Sequence, residues 1–137
     1  MQIEEIIDNF KFLDTWEDKY RYIIEIGEQL PELPDYCRTD EWKVKGCQSQ
    51  VWLFPQKKSD GTLFFKGYSD AIIVRGLVGI VLAIYNNKTP QTIINTDIDG
   101  IFSALGLHEH LSPSRRNGLE AMIEKVKHYA TLMAYGS

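Results

Sequence analysis

The sequence predicts an α+β fold in which a small antiparallel sheet of about three strands packs against helices. Three observations support this: helical apolar periodicity over the first 30 residues, a β-branched and aromatic-rich stretch from Lys43 to Tyr68, and helical periodicity again after Ser69. Strands grouped between two helical regions are typical of this class. The chain has 137 residues and contains no repeat, low-complexity tract or long linker, so we expect one domain over residues 1–137.

Two amphipathic helices are predicted first. The apolar side chains that recur at helical spacing in the first helix are Ile3, Ile6, Ile7, Phe10 and Leu13. Asp14 and Glu17 have the spacing of a capping box, so we expect the second helix to begin there and to stop at Pro31. The segment over residues 31–42 contains two prolines and is expected to be extended or turn-like.

Three short strands are expected next. Their sequences are KVKG, SQVWLFPQ and TLFFKGY, and they are rich in β-branched and aromatic residues. Asp60-Gly61, between the last two segments, is a hairpin signal. Cys47 would then lie in the turn between the first and second strands.

The remainder of the chain is predicted to be helical. Ser69 is placed to cap a helix over DAIIVRGLVGIVLAIYNN, which is apolar on nearly every face and should be the central buried helix. Thr89-Pro90 and Ser112-Pro113 each combine an N-cap with a proline at the first helical position, and predict two more helix starts. Gly106 is expected to end a helix around residues 100–105.

Composition excludes several classes of function. A net charge of −4 argues against a general nucleic-acid binder. No apolar run approaches the roughly 20 residues that a membrane-spanning helix needs, and the acidic, amphipathic beginning of the chain is unlike a signal peptide. We therefore expect no nucleic-acid partner, no membrane association and a cytoplasmic location. Two cysteines are too few for a secreted disulfide framework.

Cys47 is the candidate reactive residue, in the segment VKGCQSQVWL. Gly46 removes a Cβ that would crowd a reacting partner, and it tolerates positive φ in a turn. Gln48 and Ser49 offer amide and hydroxyl groups to a polarised sulfur, and two nearby lysines would favour the thiolate. However, a free cysteine is often only a small buried hydrophobe. The residues alone leave a reactive thiol and an inert one equally open.

Other chemistries stay open at this point. Cys37 lies in a proline-flanked connection without the neighbours that mark Cys47, and is interpreted as structural or incidental. A Cys37–Cys47 disulfide is a further alternative, but it would be unusual in a reducing compartment. His108 and His110 could complete a metal site with the two cysteines, although no Cys-x2-Cys pair is present. Either histidine could instead act as the base of a cysteine hydrolase if it lay beside Cys47.

Two charged residues at predicted helix starts are further candidates. Arg115 lies in the first turn of the last helix, where a cation opposes the helix dipole. Such a conflict indicates either a role outside the helix, such as binding a partner's carboxylates, or a side chain that is simply solvated or paired with Asp or Glu across the surface. Asp70 follows the expected cap, and helix-dipole stabilisation alone would explain it.

Six segments resemble, in order and spacing, the SufE/CsdE family of sulfur acceptors. They are YRYIIEIGEQLP, VKGCQSQVWL, YSDAIIVRGLVGIVLAIY, KTP, LGLHEHLSPSRRNGL and AMIEKVK. The resemblance extends from about Phe10 to Tyr129, and its most specific parts are GCQSQVW, the SDA helix start and LSPSRRNGL.

The resemblance implies an α+β fold similar to the IscU scaffold, without that scaffold's set of cluster ligands. It implies that Cys47 accepts sulfane sulfur as a persulfide from a pyridoxal-phosphate-dependent cysteine desulfurase of the SufS or CsdA type. The sulfur would then pass to a cluster scaffold such as SufBCD. Asp70 and Arg115 match family positions at the partner-facing edge of the site, and are carried over as docking or loop-control residues together with Gly46, Gln48 and Ser49.

On this interpretation the protein is a carrier and activator rather than an enzyme. It has no cofactor of its own, since the pyridoxal phosphate belongs to the desulfurase. The resemblance does not indicate which desulfurase or which acceptor is used, and it leaves the oligomeric state open, a homodimer included. Two alternatives also stay open: a passive adaptor that occupies the desulfurase without carrying sulfur, and an iron–sulfur or metal scaffold.

Sulfur transfer makes conflicting demands on Cys47. A persulfide needs shelter from further reduction and oxidation, whereas shelter raises the pKa of a thiol and lowers its reactivity. A loop that turns outward when the partner docks would satisfy both demands. We therefore predict that the Cys47 loop is mobile.

Overall fold

The structure, a computed structural model, describes residues 2–135. Within this range the chain forms seven α-helices, two short 3-10 segments and a two-stranded antiparallel sheet. In chain order the elements are α1 (Ile3–Lys11), α2 (Trp16–Glu28), the 3-10 segments Asp35–Cys37 and Asp40–Trp42, β1 (Val51–Lys57), β2 (Leu63–Ser69), α3 (Ile72–Tyr85), α4 (Pro90–Ile94), α5 (Ile98–Leu105), α6 (Leu107–His110) and α7 (Pro113–Tyr135). The predicted α+β class is confirmed. None of the described helices combines the length and the apolar character needed to cross a bilayer.

The prediction of three strands is wrong, because the described sheet has two. β1 and β2 pair antiparallel along their whole length, with Val51 opposite Ser69. The expected first strand contributes only an isolated bridge between Lys43 and Trp52. Gly46 then takes a φ of 92°, which turns the chain away from the sheet before a ladder can form. The segment between this bridge and β1 is therefore a loop, and Cys47 lies at its tip.

Helix α3 is the centre of the core. Nine of its residues are buried, on nearly every face of the helix, as its apolar sequence predicted. Glycines on both helices let α2 approach α3 at backbone distance. A Cβ added to Gly76 of α3 would overlap the carbonyl of Ile23, and one added to Gly27 of α2 would meet the backbone of Gly76. The position of α2 is therefore fixed on α3.

Two predicted helix starts are wrong. α2 begins at Trp16, and its cap is Thr15, whose hydroxyl accepts a hydrogen bond from the Asp18 N–H at 3.1 Å. Asp14 is therefore not the cap, because the Thr15 hydroxyl already accepts the hydrogen bond from a backbone N–H group that is free in the first turn of the helix. α2 also ends at Glu28, ahead of Pro31. Ser69 likewise does not cap α3, because it is the last residue of β2 and α3 begins only at Ile72.

The other predicted helix signals are confirmed. Thr89 and Ser112 accept hydrogen bonds from the N–H groups of Thr92, at 3.2 Å, and Arg115, at 3.3 Å. Gly106 ends α5 in the left-handed conformation, with φ of 67°. Ser112 thus fixes the start of α7, the helix that faces the tip of the Cys47 loop.

The close approach of α2 and α3 gives a first prediction. Gly76→Ala should lower the free energy of unfolding by about 1–3 kcal/mol, measured by urea denaturation, although alanine is the better helix former. A matched reference is Ala104→Gly, exposed on α5, which should lose only about 1 kcal/mol through helix propensity. A Gly76→Ala variant more stable than the parent protein would contradict the packing described here.

Candidate functional site

The base of the Cys47 loop is held at Gln50. Its N–H donates to a carboxylate oxygen of Asp70 at 3.1 Å, and its carbonyl accepts a hydrogen bond from the buried Ser69 hydroxyl at 2.7 Å. Both partners lie at the junction between β2 and α3. The loop therefore leaves the sheet from a defined point, and Asp70, which is exposed, lies beside that point.

The tip of the loop rests on α7. The thiol of Cys47 donates a hydrogen bond to the carbonyl oxygen of Gly118, with an Sγ–O distance of 3.5 Å. Gly118 is buried, and a Cβ placed on it would lie 3.4 Å from the Cys47 sulfur. The absence of a side chain at this position lets the sulfur lie directly against the helix backbone.

A cavity of about 380 Å³ opens beside the thiol. One wall is apolar and comes from α3. The other is formed by the loop and by the beginning of α7, and carries hydroxyl, amide and guanidinium groups. The α3 side chains are Ile73, Val74 and Leu77, and the polar ones are Gln48, Ser49, Ser112, Ser114 and Arg115.

The surroundings of Cys47 favour the neutral thiol over the thiolate. Cys47 is half-buried, and burial raises the pKa of its thiol above the ordinary value. Its hydrogen bond to Gly118 also requires the proton, because only a protonated sulfur can donate. The expectation that nearby lysines favour the thiolate does not hold in this conformation, where burial alone shifts the pKa of Cys47.

Arg115 faces the same cavity and is half-buried. Its guanidinium donates to the hydroxyl of Tyr20 at 3.2 Å and lies 5.9 Å from the centre of the Tyr20 ring. Within residues 2–135 it forms no ion pair with an acidic side chain. The alternative of a simply solvated arginine is therefore wrong.

The structure brings most of the candidate residues together. Cys47, Gln48, Ser49 and Arg115 share the cavity, while Asp70 and Gly46 belong to the loop's base and turn. Sequence reasoning did not single out Gly118 or Tyr20. Gly118 lies in the LSPSRRNGL segment and Tyr20 in YRYIIEIGEQLP, so both belong to segments that carry the family resemblance, but neither residue was given a role.

The remaining candidates lie elsewhere. Cys37 is 0% exposed within the 3-10 segment beside β1. His110 stacks on Trp16, with ring centres 4.2 Å apart, and His108 packs edge-on against Phe102. Neither histidine lines the Cys47 cavity, so neither is placed to act as its base. Across the described range, no three His, Cys, Asp or Glu side chains are grouped so that they could hold a metal ion.

The family of this chain follows from its match to a family model. The model described as the SufE "Fe-S metabolism associated domain" matches residues 4–130. The chain belongs to the SufE family.

Two curated relatives agree. An uncharacterized SufE-like protein of Rhizobium meliloti (strain 1021) is 53% identical over 128 residues, which cover 91% of each chain. Another, from Rhizobium etli, is 50% identical over 135 residues, or 96% of this chain and 91% of that protein.

A solved structure agrees with the fold. The solution structure of a hypothetical protein from Thermus thermophilus superposes with a TM-score of 0.77 at 19% identity. The match covers 96% of this chain and 95% of that one. Membership in the SufE family associates the protein with iron–sulfur metabolism, and confirms the resemblance carried by the GCQSQVW and LSPSRRNGL segments.

The raised pKa of Cys47 gives a second prediction. Alkylation of Cys47 by iodoacetamide, followed by mass spectrometry of its peptide, should show a pH midpoint higher in the folded protein than in denaturant. The neutral form is favoured by burial, so the folded thiol stays protonated to higher pH. The same peptide in denaturant is the control, and equal or lower midpoints in the folded protein would contradict the storage of a neutral thiol.

Proposed function

We propose that this protein is a sulfur carrier for iron–sulfur cluster assembly. Cys47 takes sulfane sulfur from a pyridoxal-phosphate-dependent cysteine desulfurase of the SufS or CsdA type, holds it as a persulfide and delivers it to a scaffold of the SufBCD type. The observation that carries the proposal is a half-buried cysteine at a loop tip, facing a cavity of about 380 Å³, in a chain of the SufE family.

The transfer step is a relative of thiol–disulfide exchange. The Cys47 thiolate attacks the outer sulfur of the persulfide on the desulfurase. A bond forms between the Cys47 sulfur and that outer sulfur, while the sulfur–sulfur bond on the desulfurase breaks. The bonding pair returns to the desulfurase cysteine as a thiolate, so no external oxidant or reductant is needed. Removal of its bound sulfur frees the desulfurase for another turnover, and the carrier thereby activates it.

The cavity supports storage of the product. Its volume of about 380 Å³ leaves room for one more sulfur atom beside the Cys47 side chain. On the side of Ile73, Val74 and Leu77 that atom would face apolar side chains instead of water. A sheltered persulfide is less exposed to reduction by small thiols and to further oxidation.

Reaction requires the thiol to leave this shelter, because burial disfavours the thiolate that must attack. The tip is tied to α7 through one hydrogen bond, from Cys47 to Gly118. The base is tied through Gln50 to Asp70. Next to this base Ile72 is 59% exposed, which offers an apolar contact to a docking protein. A desulfurase that engages Asp70 and Ile72 would loosen the loop and turn Cys47 outward.

The direct test is sulfur loading. After incubation with a cysteine desulfurase and cysteine, the peptide containing Cys47 should gain about 32 Da, the mass of the one sulfur atom transferred. Cys47→Ser should gain nothing, and Cys37→Ala, which removes the other thiol, should still load. Loading of the Cys47→Ser variant would refute the carrier assignment. Stimulation of the desulfurase without any mass gain would identify a passive adaptor instead.

Control of the loop by Asp70 gives a further prediction. Asp70→Ala removes the acceptor of the Gln50 N–H, so the loop should open more often and Cys47 alkylation at neutral pH should accelerate about fivefold. Asp99→Ala, which removes an exposed carboxylate from α5, is the matched control and should leave the rate unchanged. Equal alkylation rates in the two variants would show that Asp70 does not restrain the loop.

A further inference from the structure

A thiol and a persulfide make opposite demands on the Cys47 cavity. The resting thiol donates its proton to the Gly118 carbonyl. A persulfide is the stronger acid, because the second sulfur spreads the negative charge, so it is largely an anion at neutral pH. An anion has no proton to donate and is repelled by a carbonyl oxygen. Loaded with sulfur, the Cys47 side chain therefore loses its contact with Gly118 and needs a donor elsewhere.

Arg115 is the cation that lines this cavity together with Cys47. A guanidinium carries five N–H donors and stays protonated at any pH of interest. Since Arg115 is half-buried, its charge is less screened than that of a surface arginine. It is also not neutralised by a carboxylate within the described part of the chain.

Tyr20 determines where that cation lies. Its hydroxyl accepts from the Arg115 guanidinium at 3.2 Å, across 95 residues of sequence. Tyr20 itself is restrained by an edge-on contact with Trp16, with ring centres 5.5 Å apart, and by the seating of α2 on α3. A neutral hydroxyl orients an arginine without cancelling its charge, as a carboxylate would. The side chain is thereby held in place with its positive charge still available to a second anion.

We propose that Tyr20 is a positioning residue of the sulfur-transfer site, holding the Arg115 guanidinium at the cavity so that it pairs with the Cys47 persulfide anion. This inference rests on the proposed function and adds a second position for the Cys47 side chain. The thiol lies against Gly118, and the persulfide lies against Arg115. The state of the sulfur thus selects which of these two α7 residues the side chain contacts.

The test loads Cys47 with inorganic polysulfide, so that it does not depend on any desulfurase. The Cys47 thiolate attacks a polysulfide sulfur, and a polysulfide shorter by one atom leaves. Alkylation of the persulfide is then followed against pH by mass spectrometry of the Cys47 peptide. The variants are Tyr20→Phe, Arg115→Gln and the double variant. Tyr22→Phe is the matched control, because it removes from the same helix a hydroxyl that accepts from Asn9 at 2.8 Å.

The midpoint of persulfide alkylation should rise by about half a pH unit to one unit in Tyr20→Phe and in Arg115→Gln, since the anion loses its cation. It should stay unchanged in Tyr22→Phe. The double variant should match Arg115→Gln alone, because a residue that acts through Arg115 has no effect without it. A purely structural role of the Tyr20 hydroxyl would instead add to the Arg115→Gln shift.

Two results would overturn the inference: a Tyr20→Phe profile identical to that of Tyr22→Phe, or additive shifts in the double variant. Failure of the desulfurase to load wild-type Cys47 is a different outcome. It would refute the proposed function, and the polysulfide-loaded profiles would still decide the role of Tyr20.

Discussion

The hydrogen bond from the Cys47 thiol to the Gly118 carbonyl is the contact on which the site depends. It needs a protonated sulfur, and it holds that sulfur where burial raises its pKa. The same contact therefore fixes the position and the low reactivity of the thiol. The proposed role as a sulfur carrier requires both properties at rest, and the loss of both when the desulfurase docks.

The remainder of the fold fixes the positions of the elements around this contact. Backbone packing at Gly76 seats α2 against α3, and the Ser112 cap fixes the first turn of α7. These helices bring the Tyr20 hydroxyl to Arg115, which lines the cavity, while Gln50 and Asp70 define where the loop begins. The packed helices thus carry one loop of six residues, numbered 45–50, which hydrogen bonds of Cys47 and Gln50 attach to α7 and to the junction of β2 and α3. Such attachments are readily exchanged for contacts with another protein.

The sequence predicts the parts of this arrangement that depend on local physics. Apolar periodicity and the caps at Thr89 and Ser112 depend on residues only a few positions apart in the sequence, and they located helices correctly. The predicted first strand, KVKG, was wrong because the positive φ of Gly46 turns the chain away from the sheet. The partnership of Tyr20 with Arg115 was not foreseen, because it joins residues 95 positions apart and only the packing of helices brings them together.

The central claim is that Cys47 is sheltered in the free protein and presented in the complex. A structure of the protein bound to the proposed partner, a cysteine desulfurase, tests this most directly, through the distance from the Cys47 sulfur to the Gly118 oxygen. In the free protein that distance is 3.5 Å. The account predicts that the hydrogen bond is broken in the complex, with the sulfur turned towards the desulfurase. A complex in which Cys47 still donates to Gly118 would contradict it.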